Sequence, residues 1–167
     1  DALLGLARGG GGTSVLTSVD LSELVARRID AWQQVAAQDR VRFELRLEQS
    51  LPTLTDAIIV ESAFDAVIDN ALKYAPPSSK IEVSTEDSAE HSEIVVRDHG
   101  PGIAAADLER ATDRFWRGAG SDQKPGSGLG LAIASDLLAS VGGQLRVSAP
   151  PSGGLTVTFR FAKAVAS

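Results

Sequence analysis

Cysteine is absent from the chain, and histidine is limited to His91 and His99. The first absence excludes disulfides and thiolate metal sites, and the second leaves too few ligands for a histidine-rich metal centre. No apolar run approaches the ~20 residues that a membrane-crossing helix needs, and the N-terminus lacks the basic and apolar regions of a signal peptide. Positive charge is also short, for the formal net charge is −6. A general nucleic-acid binder displaces counterions with a basic surface, so that function is excluded and any anionic ligand must be held by local groups. What remains is a 167-residue chain, enough for one domain that buries roughly two-thirds of its unfolded surface without staples.

Hydrophobic periodicity places the elements. Asp20 stands as the cap of a helix that runs to about Gln38, with Glu23 three residues on as in a capping box and Leu21, Leu24, Val25, Ile29 and Trp32 as its apolar stripe. Residues 41 to 47 alternate strictly and read as a half-buried strand. A second helix spans about Asp56 to Ala75, with Val60, Phe64, Val67, Ile68, Ala71, Leu72 and Ala75 on the core stripe, Ala66, Asn70, Lys73 and Tyr74 on a neighbouring face, and Pro76-Pro77 as its stop. Strands fit 81–85 and 93–98 around the polar turn Glu86 to Ser92. A third helix covers about Gly128 to Val141, and strands 144–149 and 155–161 form a hairpin through residues 150–154. Residues 104–127 make a polar, glycine-rich connection long enough to be functional or disordered. The strands at 41, 81 and 155 carry one polar face each. That pattern fits a two-layer α/β sandwich with helices on one side, and it disfavours a doubly wound parallel sheet.

Chemistry concentrates at three places. Gly126-Ser127-Gly128-Leu129-Gly130-Leu131 is a glycine loop running into an apolar helix. Glycines admit an anion close to the main chain, and the unpaired N–H groups of the first helical turn favour phosphate. The spacing matches neither the dinucleotide fingerprint nor the P-loop. Asp98 closes a strand just before Gly100 and Gly102, so its carboxylate can face a pocket while the backbone makes room for a planar base. A carboxylate accepts from the adenine amino group and finds only a carbonyl on guanine, which selects ATP over GTP by roughly 1.5 to 3 kcal/mol. Asn70 offers a hard, neutral amide oxygen suited to Mg²⁺. Lys73, on the same helical face, can reach a phosphate as a point charge, against the plainer reading of a surface lysine. Tyr74 packs either on the nucleotide or in the core.

Asn70 within Asp69-Asn-Ala-Leu-Lys-Tyr74, Asp98-x-Gly100-x-Gly102-Ile103, Arg114-Phe115-Trp116-Arg117 and Gly126-x-Gly128-Leu129-Gly130-Leu131 resemble, in order and spacing, the N, G1, F and G2 boxes of the sensor histidine kinase catalytic domain. The resemblance covers residues 13 to 161. It implies a Bergerat-type fold: a mixed, mainly antiparallel sheet covered on one face by three helices, with a long ATP lid. It also implies ATP and Mg²⁺ as cofactors, with Asn70 on the metal bridging the triphosphate. Gly100, Gly102, Ile103, Gly126, Ser127, Gly128, Leu129 and Gly130 then line the nucleotide. Arg117, or else Arg114 or Lys124, neutralises a β- or γ-phosphate as the lid closes. Phe115 pins that lid to the core.

One departure is visible. Ala66 stands where many histidine kinases carry another Asn and hydrolytic relatives carry a water-activating Glu. Asp65 and Asp69 are the alternative bases. His99 reads as a neighbour of the Asp98 turn and His91 as an exposed turn residue. The resemblance further implies that residues 1–12 are the end of a phosphoacceptor and dimerisation helix followed by a glycine linker, and that 162–167 form a tail. The expected partners are that dimerisation domain of the same kinase and, through it, a cognate response regulator. The parent is expected to be a homodimer anchored in the bacterial membrane with this region on the cytoplasmic side, and the present chain a monomer that inserts into no membrane. The rivals are an anti-sigma-factor-type serine kinase and a non-catalytic adenine-nucleotide-sensing module.

Overall fold

The computed structural model describes residues 16–101, 127–150 and 152–163, except for the side chains of 127–129. In order these form β1 (Thr17–Asp20), α1 (Leu21–Gln38), β2 (Arg42–Arg46), β3 (Pro52–Thr55), α2 (Ala57–Tyr74), β4 (Lys80–Asp87), β5 (His91–Asp98), α3 (Ser127–Ala139), β6 (Gly143–Ser148) and β7 (Leu155–Ala162). Five strands make one sheet in the order β2-β4-β5-β7-β6, and β1 pairs with β3 in a separate ribbon. Among the described residues only the β2–β4 pair is parallel. The other three contacts in the sheet are antiparallel.

Alternation along the strands decides which face is covered. Ile81 and Val83 of β4, Ile94 and Val96 of β5 and Val157, Phe159 and Phe161 of β7 are buried, while their neighbours in sequence face outward. Helices pack on that one face, so the architecture is the expected two-layer sandwich. The Phe64 ring of α2 meets Phe159 of β7 at 6.0 Å between centroids, tying helix layer to sheet. Each fully buried side chain of this size contributes about 1.5–3 kcal/mol, so these stripes carry the fold.

Local signals set the helix ends. Asp20 Oδ1 accepts from the N–H groups of Ser22 (3.0 Å) and Glu23 (3.4 Å), as its place before an apolar stripe requires. The same oxygen accepts from the Leu51 N–H at 3.0 Å, which binds the ribbon to the helix start. The Glu23 carboxylate lies 3.7 Å from Arg27. At the other end, the Val41 N–H reaches Ala36 O and the Arg40 N–H reaches Ala37 O, with Arg40 at φ 56. This is a Schellman ending with arginine in the position that glycine prefers. Asp56 caps α2 through Ile58 and Ile59, and the helix ends at Tyr74 before the prolines.

Several boundaries differ from the sequence expectation. The β1–β3 ribbon was not anticipated, because two four-residue segments, one starting at Pro52, carry too little alternation to read. His91 opens β5 and is half-buried, where an exposed turn residue was expected, because β5 starts two residues earlier and pairs with Ala162. Ala162, assigned to the tail, is therefore the last residue of β7. Leu45, expected on the inner face of its strand, is 40% exposed because β2 lies at the sheet edge, beyond full helix cover.

Candidate functional site

The period of two that buries Ile94 and Val96 carries on to Asp98, which is 5% exposed on the helix-covered side of the sheet. A carboxylate there has lost most of its water. Among the described residues the Gly100 N–H donates to it at 2.9 Å, and the main chain of Leu155, its register partner on β7, acts on it from the next strand. Burial pushes the Asp98 pKa up; the Gly100 and Leu155 main-chain groups oppose that shift, as do the neighbouring His99 and Arg97. A buried carboxylate whose lone pairs are only partly used by backbone donors suits a ligand amino group.

Two glycines hold this turn against the rest of the fold. A Cβ on Gly100 would stand 2.5 Å from the Tyr74 carbonyl oxygen, so the turn lies directly on the last residue of α2. On the other side, a Cβ on Gly154 would stand 2.1 Å from the Asp98 carbonyl oxygen. The sequence had marked Gly154 only as a hairpin residue; its support of Asp98 exists only once β7 lies beside β5.

Asn70 sits four residues before Tyr74 on α2, about 6 Å back along the helix axis, and is 6% exposed. Helix α3 crosses there: the Cβ position of Gly130 is 3.6 Å from Ala66 O and 3.8 Å from Asn70 Cβ. The structure thus brings Asn70, Tyr74, Asp98, Gly100 and Gly130 together around the end of α2. The first turn of α3, opened by Ser127, Gly128 and Leu129, begins beside them. Its N-terminal N–H groups are suited to phosphate. Gly102, Ile103, Arg117 and Gly126, with Arg114, Phe115, Trp116 and Lys124 of the expected lid, lie outside the described residues.

The remaining candidates fall into other pairings. The Lys73 ammonium is 3.1 Å from Asp69 in an i,i+4 ion pair, worth a few tenths of a kcal/mol; that cost is small enough to exchange for a phosphate. Asp65 accepts from Arg28 Nε and Nη2, both at 2.9 Å, and from Trp32 Nε1 at 3.0 Å. It is therefore a clasp between α1 and α2, with three donors from α1 on its two oxygens. Asp69 is exposed and engaged by Lys73. His99 Nε2 is 2.7 Å from Glu82 Oε2 on the outer sheet face, away from Asp98 because successive residues point to opposite sides.

Residues 55–165 match the family described as histidine kinase-, DNA gyrase B- and HSP90-like ATPase. The chain belongs to this family. It is 33% identical over 153 residues, 91% of its length, to the signal transduction histidine-protein kinase/phosphatase MprB of Mycobacterium sp. strain KMS, and spans 29% of that relative. It is 35% identical to the sensor-like histidine kinase SenX3 of Mycobacterium tuberculosis over 86% of the chain and 35% of the relative. Among solved structures, the mycobacterial sensor histidine kinase MprB superposes with a TM-score of 0.78 at 29% identity, covering 89% of this chain and all of that one. Full-length ShkA in complex with AMPPNP superposes at 0.76 and 25% identity, covering 99% of this chain and 37% of that one. The chain is an ATP-binding catalytic domain of the sensor histidine kinase kind, with the α/β sandwich such domains share. Among the described residues no helix is long and apolar enough to cross a membrane.

Proposed function

We propose that this chain holds Mg·ATP and presents its γ-phosphoryl group to a histidine nitrogen on a separate helical dimerisation domain. The observation that carries the reading is the pairing of two buried polar side chains on the end of α2. Asp98 is held by the Gly100 N–H above Tyr74, and Asn70 lies one helical turn away beside the start of α3. Asp98 accepts from the adenine amino group. Asn70 would hold Mg²⁺ through its amide oxygen, and the first N–H groups of α3 would face the phosphates. When bound, the metal neutralises charge on the transferring group; the residues themselves orient the nucleotide and exclude water. Lys73, released from Asp69, and Arg117 supply further positive charge. Ala66 contributes no base, which suits transfer to a nucleophilic imidazole better than hydrolysis.

The parent protein, by likeness to sensor kinases of which this chain spans about a third or less, acts as a membrane-anchored homodimer. There this domain faces the cytoplasm and signals through its dimerisation domain to a response regulator. The relatives give no support to the serine-kinase or nucleotide-sensing alternatives. The test mixes the chain with a separate helical domain bearing the acceptor histidine and γ-labelled ATP. Acid-labile, alkali-stable label should appear on the acceptor only with Mg²⁺, and Asn70→Ala should abolish it. Label that accumulates on this chain alone, or transfer unaffected by Asn70→Ala, would overturn the assignment.

A further inference from the structure

The Asp98 carboxylate is oriented from a part of the chain more than fifty residues away. The Gly100 N–H, in the turn after β5, donates to it at 2.9 Å, and the main chain of Leu155, the first residue of β7 and the register partner of Asp98, acts on it from across the strand pair. The residue before it, Gly154, is buried at φ +80, and its missing side chain leaves the room that the Asp98–His99 peptide fills. A Cβ there would meet Asp98 O at 2.1 Å, Asp98 C at 3.0 Å and His99 Cα at 3.1 Å. These are backbone atoms and cannot swing aside as a side-chain tip would. The hairpin that ends in Gly154 is held by the Gly153 N–H on Pro150 O at 2.9 Å and by a hydrogen bond from Arg97 to the Ser152 hydroxyl. Arg97 directly precedes Asp98, so the hairpin grips the turn on both sides.

We propose that the β6–β7 hairpin end is the positioning element for the base-selecting carboxylate, with Gly154 as its positioning residue and the Ser152–Arg97 bond as its latch. The inference rests on Asp98 being the adenine acceptor. Moving the hairpin relative to β5 shifts the Leu155 main chain and the Asp98 peptide together, which turns the carboxylate away from a bound base. A segment distant in sequence therefore sets purine selectivity through the backbone of the Asp98 turn.

Gly153 provides a matched control. It lies at φ +96 with nothing within 4 Å of its Cβ position, so Gly153→Ala carries comparable backbone strain with no collision. Affinity for a non-hydrolysable ATP analogue, measured by NMR titration of the full chain, should fall at least tenfold in Gly154→Ala and stay within twofold of wild type in Gly153→Ala. Ser152→Ala, exposed and compatible with folding, should lower it two- to threefold. Both losses should vanish when introduced into Asp98→Asn, because the element being positioned is gone. Equal losses in the wild-type and Asp98→Asn backgrounds would assign the hairpin a general structural role and overturn the proposal. If Gly154→Ala does not fold, Ser152→Ala decides alone: unchanged affinity overturns the proposal, and a loss confined to the Asp98 background supports it. Unchanged affinity in Asp98→Asn by itself would reject the adenine assignment beneath the proposal, a result separate from failure of the hairpin variants.

Discussion

Asp65 and Asp98 are two carboxylates of the same molecule placed in opposite ways. Asp65, on the side of α2 that faces α1, is part-buried and receives three hydrogen bonds from the Arg28 guanidinium and the Trp32 indole. The bond to Asp65 in turn raises the Arg28 pKa. Asp98, at the end of β5 under the same helix layer, is more deeply buried, receives a main-chain N–H from Gly100 and no side-chain donor among the described residues, and has its pKa pushed up by burial. A carboxylate that serves the fold is neutralised by its neighbours, whereas one that serves a ligand is left electrostatically incomplete. The incompleteness costs stability in the free protein and is relieved when a donor arrives.

Substitution of each aspartate should separate the two roles, and the largest effect belongs to Asp98. Asp98→Asn should weaken ATP binding by roughly 1.5–3 kcal/mol, or about ten- to a hundredfold, in calorimetric titration. The same change should stabilise the ligand-free protein at neutral pH. A raised folded-state pKa means that the wild-type contribution is full below the unfolded value, about 4, and is lost as pH rises through the folded one. The advantage of Asp98→Asn in urea unfolding should thus shrink to nothing in acid. A variant less stable than wild type at pH 7 would reverse the comparison.

Asp65→Ala should do the converse. It strands Arg28 and Trp32 at the α1–α2 seam, and the expected loss is about 1–3 kcal/mol of unfolding free energy with nucleotide affinity unchanged. A tenfold loss of ATP affinity in a folded Asp65→Ala protein would instead restore Asp65 to the site.

Asp20 extends the structural side of the contrast. Its pKa is lowered, first by the Leu51 N–H, with Glu23, Ser50 and Ser22 adding to the effect against the cost of burial. Asp20→Ala should cost about 1 kcal/mol as a lost cap. Because the folded pKa is depressed, that contribution is present above the unfolded pKa and disappears as pH falls through the folded value. Unfolding curves at pH 7 and near pH 2 should differ accordingly; an equal cost at both would deny the ionic cap.

The smallest effect probes the same helix at its other end. Arg40 occupies a left-handed position at φ 56, and Arg40→Gly should raise stability by up to about 1 kcal/mol, offset in part by the freer unfolded chain. A lower thermal midpoint would show that Arg40 makes a compensating contact.

Much of this contrast can be read in the chain, for a local reason. The cap at Asp20, the stripe of α2, the alternation that delivers Asp98 to the inner face and the glycines at the start of α3 all depend on residues within one or two turns of each other. Spacing alone therefore put Asp98 at the end of its strand and Asn70 on the helix face next to the core stripe. Three matters needed the tertiary structure. Asp65 and Asp98 are the same side chain in sequence, and only the packing of α1 against α2 supplies the donors that make one of them a clasp. The β1–β3 ribbon exists because Asp20 and Leu51 meet across a loop. Gly154 matters to Asp98 because β7 inserts between β5 and β6, a strand order set by the whole sheet and by no local pattern. Periodicity reports which way a residue points; which atoms stand opposite it depends on pairings between distant segments.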